Sequence, residues 1–383
     1  MTAQSPIEFM RKKDFSIGPQ LSNVLDVLRT IAAFMVVSWH VVSEMFVPSD
    51  HPDLPTQIFL TYTDLGGHAV VIFFVVSGFL IGKAAIQVFM LREKSVHGFI
   101  VDRITRIYIV LIPALTFGFA LDYVLVHALG PEGFDKIAGN MTIAVFLGNL
   151  FALQTIFSPI FGSNEPLWSL SFELWYYLMF PLGLAACFGV AKGIRFVSAI
   201  LLVAALAICS NHLASTMTPH LLKFAPLWMI GVAAWLPSKP LIPRWLGWLL
   251  LFAFLSTAHS DLLSVRGVGF AHLLGTAASV ALLLSAYRLD PRSHSNRFRK
   301  FWKFFSGFSY SVYLYHYPVL IMLTYTLKNA GIGPYSSTTP EGISTWIILL
   351  LIFYLYCYIG YLATERHYHT LRRVVYTRFG GQT

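Results

Sequence analysis

The sequence predicts an all-α polytopic membrane protein. It should have about ten transmembrane helices plus a re-entrant or interfacial segment near 140–157, with N- and C-termini cytoplasmic. Three observations lead there. First, 56% of the 383 residues are hydrophobic, 15% aromatic and 12% charged, whereas a soluble domain carries about 25% charged residues. Second, the apolar excess recurs along the chain from 24 to 362 instead of sitting in one tail. Runs such as 70–80 and 200–208 do not alternate apolar with polar, so helices are favoured over the strands of a membrane barrel. Third, the basic residues are distributed as loops on one side of a membrane require.

Segments long enough to span, or nearly so, fall at 23–46, 66–89, 104–127, 167–190, 194–211, 220–236, 243–258, 267–287, 306–328 and 343–364. An eleventh, 140–157, is short and carries Asn140, Thr142, Asn149, Gln154 and Thr155. Charge decides its fate. With ten spans and a cytoplasmic N-terminus, only Lys136, Lys223, Arg266 and Lys328 of the 27 basic residues fall outside. If 140–157 also spanned, 14 basic residues between Lys192 and Arg378 would move outside and three would move in. The positive-inside rule therefore makes it non-spanning, held against protein or a water-filled cavity. The cluster Arg288, Arg292, Arg297, Arg299, Lys300 and Lys303 is the strongest inside marker. The outer loops are acidic instead, with Asp50, His51, Asp53 and Asp64 after the first span, and Glu132 and Asp135 after the third.

The chain divides into a cytoplasmic segment 1–22, a membrane domain 23–366 and a basic cytoplasmic tail 367–383. The tail is expected to be solvated and to face anionic lipid. No cleavable signal peptide is expected. A net charge of +9 raises nucleic acid as a partner for a soluble chain; here it reads as loop retention, with membrane lipid as the partner and no nucleic acid. Cys187, Cys209 and Cys357 lie in apolar stretches without ligand spacing, so they read as buried small hydrophobes and no metal is expected.

Ionisable groups inside spans are informative because a central charge costs roughly 2.5–3.5 kcal/mol on insertion scales. In span one, Arg29 and His40 are eleven residues apart, three turns plus about 20°, on one face with a rise of roughly 16 Å. Asp26 falls near that face. Alone, His40 is equally a helix-packing histidine, and Arg29 equally a snorkelling one. Arg103 and Arg106 open span three one turn apart, and Lys83 closes span two; each also reads as a cytoplasmic-side anchor. In span four Ser169, Glu173 and Tyr177 form one stripe, and counting turns from the outer side puts Glu173 at a depth comparable to His40. A Glu173–His40 contact would orient the imidazole and raise its basicity. In span nine Ser309, Tyr313 and His316 share a stripe, with His316 a support residue. Glu365, beside Arg366, reads as an interfacial ion pair.

Taken in order, these motifs resemble the acyltransferase-3 family of multispanning membrane acyltransferases. Arg29 and His40 match its arginine, ten residues, histidine pattern. The stretch Gly67-His-Ala-Val-Val-Ile-Phe-Phe-Val-Val-Ser-Gly-Phe-Leu80 resembles its second-span signature. Arg103 and Arg106 match its paired arginines, and Trp168-Ser-Leu-Ser-Phe-Glu173 its tryptophan–serine–leucine–serine–x–glutamate motif. Ser309-Tyr-Ser-Val-Tyr-Leu-Tyr-His-Tyr-Pro318 resembles the late histidine–aromatic–proline segment, and Glu365 a terminal glutamate. The chain departs at His68, to which no role is assigned, and at Tyr315 and Tyr317, where tryptophans are frequent. It is similar to a stand-alone member without a soluble domain.

The resemblance implies transfer of an acyl group, commonly acetyl, to a hydroxyl of a carbohydrate-containing acceptor: surface polysaccharide, lipid-linked glycan or peptidoglycan. A bacterial inner membrane is the implied setting. Acetyl-CoA or another acyl-CoA is the donor. Arg29, Arg103 and Arg106, with Lys83, would hold its phosphates, and the roughly 16 Å rise matches a pantetheine arm reaching His40. His40 then acts as general base or acyl acceptor, Glu173 orients it, Trp168 and Ser169 shape the acceptor site, and Tyr313 and His316 support. A proton-coupled transporter or exporter of a glycan- or lipid-type substrate is the rival, weakened by the lack of an internal repeat. A scaffold whose buried polar groups merely join helices is the third reading.

Overall fold

A computed structural model describes residues 17–47, 66–129, 134–210, 218–235, 243–257, 270–285, 296–336 and 340–378. The acidic loop residues Asp50, His51, Asp53 and Asp64, and Arg288 and Arg292 of the basic cluster, lie outside the described residues. Elsewhere the chain is almost wholly helical, and a helix stands at each of the ten expected positions. These are α1 (Pro19–Met45), α2 (Gly66–Ala85), α3 (Val96–Leu129), α6 (Leu167–Phe188), α7 (Lys192–Ser210), α8 (Thr218–Ala233), α9 (Arg244–Thr257), α10 (Phe270–Ser285), α12 (Ser309–Asn329) and α13 (Pro340–Ala363). Between them lie α4 (Asp135–Gly139), α5 (Ile143–Leu150), α11 (Asn296–Gly307) and α14 (Tyr368–Arg378). The two-residue strands β1 (Phe46–Val47) and β2 (Tyr335–Ser336) pair in parallel and tie the end of α1 to the stretch after α12.

Among the described residues, six helical segments are long and apolar enough to cross a membrane: 19–45, 68–90, 96–128, 167–188, 192–209 and 341–378. The described parts of α8, α9 and α10, of 16, 14 and 16 residues, are shorter than the roughly 20 residues a span needs. At 21 residues α12 is long enough, but its serines, threonines, His316 and Lys328 dilute its apolar character. The 140–157 segment forms only the eight-residue α5, about 12 Å long, before the chain turns back toward α6.

The residues facing out are those a lipid environment would solvate. On α7, Phe196, Val197, Ile200 and Val203 are exposed, and on α13 Ile348, Leu351, Leu355 and Ile359. Such contiguous apolar surface is foreign to soluble monomers. The interior is built around α2, which packs against α1, α6, α8 and α10. Its closest approach is to α8, where Gly78 lies against the Trp228 carbonyl and Gly231 against the Val75 carbonyl. Any Cβ at either position would collide with backbone, the small-residue contact by which membrane helices approach. Of the cysteines, Cys209 and Cys357 are buried as expected, whereas Cys187, in the last turn of α6, is exposed.

Candidate active site

The beginnings of α1 and α3, the end of α2 and α14 meet at one end of the bundle, the basic end. They enclose a cavity of about 640 Å³. Its described lining carries Arg29, Lys83, Lys94, Arg103, Arg106 and Arg372 against only two carboxylates, Asp102 and Glu173. The sequence-expected cations are therefore brought together. Arg103 and Arg106 project from one face of α3, and the Arg103 Nε is buried without a hydrogen-bond partner. The Arg106 guanidinium lies 5.9 Å from the Tyr368 ring and the Lys83 ammonium 5.3 Å from the Trp235 ring. Arg29 sits in the field of Arg106, Asp26 and Glu365. Asp26 accepts from Ser306 Oγ at 2.5 Å, which fastens α11 to α1. Glu365 is not an interfacial pair with Arg366. Its Oε2 accepts from Ser311 N at 3.2 Å and Ser311 Oγ at 2.8 Å, because the chain breaks into a 3₁₀ turn after α13 and folds the carboxylate back to the start of α12.

Glu173 belongs to this cavity. Tyr177 Oη donates to its Oε2 at 3.2 Å, Tyr177 and Ser77 hydroxyls share a 2.9 Å hydrogen bond, and Trp228 Nε1 donates to Ser77 Oγ at 3.2 Å. Arg29 lies within its electrostatic reach. The expected Glu173–His40 contact is not formed. What meets His40 is a set of rings: Trp39 at 4.6 Å, Tyr317 at 4.6 Å and His316 at 5.1 Å between centroids. His316 Nδ1 lies 2.8 Å from the Val312 carbonyl. A carbonyl can only accept, so Nδ1 carries the proton and Nε2 presents a lone pair. That Nε2 and the His40 Nδ1 are both buried without a hydrogen-bond partner.

The mismatch in depth has a physical cause in the segment before α6. Counting turns assumed that α6 begins at the membrane surface. Instead residues 151–166 dip into the bundle and α6 starts well inside it. Asn164 Nδ2 donates to the Leu314 carbonyl at 3.0 Å and Tyr313 Oη to the Pro166 carbonyl at 2.9 Å. The buried Asn149 ties the dip together, donating to Val145 and Pro159 carbonyls and accepting from Phe161 N. The buried Asp122 of α3 accepts from Ser163 N at 2.8 Å, beside Gly162, where the positive φ favours glycine and a Cβ would collide with that carboxylate. Ser169 therefore stands level with Tyr313, and their hydroxyls lie 2.5 Å apart. Glu173 is one turn toward the basic end, and His316 one turn away from it. The two groups are thus separated by roughly 10 Å along the bundle.

Ser169 and Tyr313 line the cavity; His40 and His316 are outside its lining, with the Tyr313 and His316 rings 6.4 Å apart. Trp168 points elsewhere, against Phe172 at 5.2 Å and Phe224 at 6.1 Å. His68, unassigned from sequence, lies against His272, ring centroids 4.6 Å apart and planes tilted by 47°, near that same Phe224. Sequence reasoning missed Glu44, which accepts from Tyr317 Oη at 2.9 Å. The signal was available, since Glu44 lies four residues after His40 on the same face. It also missed Arg372 and Tyr376 in the cavity wall, for which no sequence signal existed. Among the described residues no group of three or more His, Cys, Asp or Glu is placed to hold a metal ion.

A family model described as an acyltransferase domain matches residues 23–365. The chain belongs to that acyltransferase family. It is also 30% identical over 160 residues to an O-acetyl transferase of Shigella phage Sf6, a match covering 41% of this chain and 44% of that protein. The chain thus spans under half the length of the curated relative it matches. No solved structure matches it. Family membership and the helices that are long and apolar enough to span are consistent with each other, since the family resemblance is to multispanning membrane proteins.

Proposed function

We propose that the protein transfers an acyl group, acetyl in the first instance, from cytoplasmic acyl-CoA to a hydroxyl of a carbohydrate-containing acceptor. Surface polysaccharide, lipid-linked glycan and peptidoglycan are the acceptor classes, and a bacterial inner membrane the setting. The helices at all ten expected positions span, both termini are cytoplasmic, and the basic end faces the cytoplasm. One observation carries this reading: a cavity rich in cations that reaches the Ser169–Tyr313 hydroxyl pair, one turn from two imidazoles with unpaired ring nitrogens.

Acyl-CoA is a polyanion with its thioester at the far end of a long arm. Arg103 and Arg106, with Arg29 and Lys83, take the phosphates, since guanidinium forks pair with phosphate oxygens in plane. The arm runs past Glu173 and Tyr177, and the thioester carbonyl reaches Ser169, whose hydroxyl turns from Tyr313 Oη to donate to the oxygen as charge develops on it, while Tyr313, held by the Pro166 carbonyl, supports that hydroxyl from behind. The acceptor hydroxyl enters from the opposite end. His40 removes its proton, the oxygen attacks the carbonyl carbon, the C–S bond breaks, and the proton held on His40 passes to the CoA thiolate. His316 positions His40 through ring contact, the part expected of Glu173. Glu173 acts on the donor side instead, as the carboxylate that fixes Tyr177 and balances Arg29.

The test uses membranes with the wild-type protein and the His40→Ala variant at matched levels, given acetyl-labelled acetyl-CoA. Label should enter a glycan-containing fraction with wild type alone. Equal label with both would remove His40 from the chemistry. No label with either, together with no acyl-CoA binding, would favour the transporter.

A further inference from the structure

The C-terminal helix does not lie free as a basic tail. It packs along α3 and contributes Arg372 and Tyr376 to the cavity wall. Arg372 Nε is paired with Asp102 Oδ1 of α3. The arginine side chain is still 44% exposed, and the neighbouring Lys94 is also exposed; both mark the cavity rim. Tyr376 rests its ring on the first turn of α3, 5.1 Å from His97, with the Arg372 guanidinium 6.0 Å from it. We propose that α14 is the nucleotide-end clamp of the donor site. In it Arg372 exchanges Asp102 for the ribose 3′-phosphate of acyl-CoA, beside the aromatic face of Tyr376.

Three features support this. The half-buried cations of α1 and α3 lie deeper in the cavity than the exposed Lys94, where the pyrophosphate and arm must pass, and the terminal phosphate of a long donor is left at the rim. Carboxylate and phosphate present the same planar oxygen pairs to a guanidinium, so one arginine serves either partner. A half-exposed ion pair contributes little to stability and opens readily. Asp102 then has a definite part. It neutralises Arg372 in the empty site and competes with the incoming phosphate. This inference rests on the acyl-CoA reading above.

The competition gives the two partners effects of opposite sign. Initial rates would be measured with the full chain in vesicles, using acetyl-CoA and 3′-dephospho-acetyl-CoA as donors. Arg372→Gln should raise the KM for acetyl-CoA about tenfold, the loss of one charge-assisted contact. It should leave kcat in place and bring acetyl-CoA to the KM of the dephospho donor. Asp102→Asn should lower the KM for acetyl-CoA. If both substitutions raise KM, or if Arg372→Gln acts equally on the two donors, α14 is only a packing element and the proposal fails. It fails as well if the Arg372 effect follows the anionic lipid content of the vesicles, since the phosphate would then be a headgroup. Wild-type protein that neither turns over nor binds acetyl-CoA would instead sink the donor reading, and is read without any variant.

Discussion

The two ends of this bundle are built by the same helices and have opposite chemistry. At the basic end α1, α3 and α14 present four of the six cavity cations, with Glu173, Asp102 and Glu365 interleaved. At the other, α1 and α12 present neutral rings, and the nearest carboxylate in the network, Glu44, reaches His40 only through Tyr317. Buried charge is costly, so a crowd of arginines is retained where a polyanion repays it. Beside a general base the same crowd would hinder, because a nearby cation disfavours the protonated imidazole. Keeping phosphate recognition and proton transfer three helical turns apart on α1 lets each have its own electrostatics. The Ser169–Tyr313 pair marks the boundary.

This contrast can be broken from either side. The largest effect is expected at the neutral end: His40→Ala should reduce kcat by about 10²–10⁴ while acetyl-CoA binding, followed by isothermal titration, is kept. Loss of binding instead would merge the two ends into one site. At the basic end Arg103→Gln should do the converse, raising the KM for acetyl-CoA by about ten- to a hundredfold for the roughly 1.5–3 kcal/mol of a charge-assisted bond, with kcat nearly kept. A kcat effect there would mean that Arg103 acts on the reacting atoms. His316→Phe keeps the ring and removes both nitrogens; about a tenfold fall in kcat would reflect roughly 1.4 kcal/mol of positioning. An unchanged rate would leave His40 unassisted. Smallest is the boundary itself. Asn164→Ala removes the bond to Leu314 and should cost about 1 kcal/mol of thermal stability, with a modest fall in kcat, since α6 would lose part of its anchor. A separate check on the frame is Gly78→Val, which should lower the yield of folded protein because its side chain meets the Trp228 carbonyl.

What could be read from the sequence followed from periodicity. Arg29 and His40, Arg103 and Arg106, and the Ser309–Tyr313–His316 stripe are each one face of one helix, and the helices stand where apolar length puts them. Partners across helices were less legible. Turn counting from the membrane surface puts Glu173 level with His40, whereas the contacts of Asn164, Asp122 and Pro166 set the start of α6 deeper. Glu365 read as a surface pair because nothing local reveals that the chain folds back onto Ser311.

The sequence by itself determined the helical membrane class, the positions of the long helices and the family. Each of these depends on composition, on a 3.6-residue repeat or on motif order along the chain. Only the tertiary structure decided which polar groups share a space. It gave Glu173 to Tyr177 and Ser77, His40 to His316, and Arg372 to the cavity mouth. Depth and facing across helices are set by loop entry points and close approaches such as Gly78 on Trp228, and these are interactions between residues far apart in the chain.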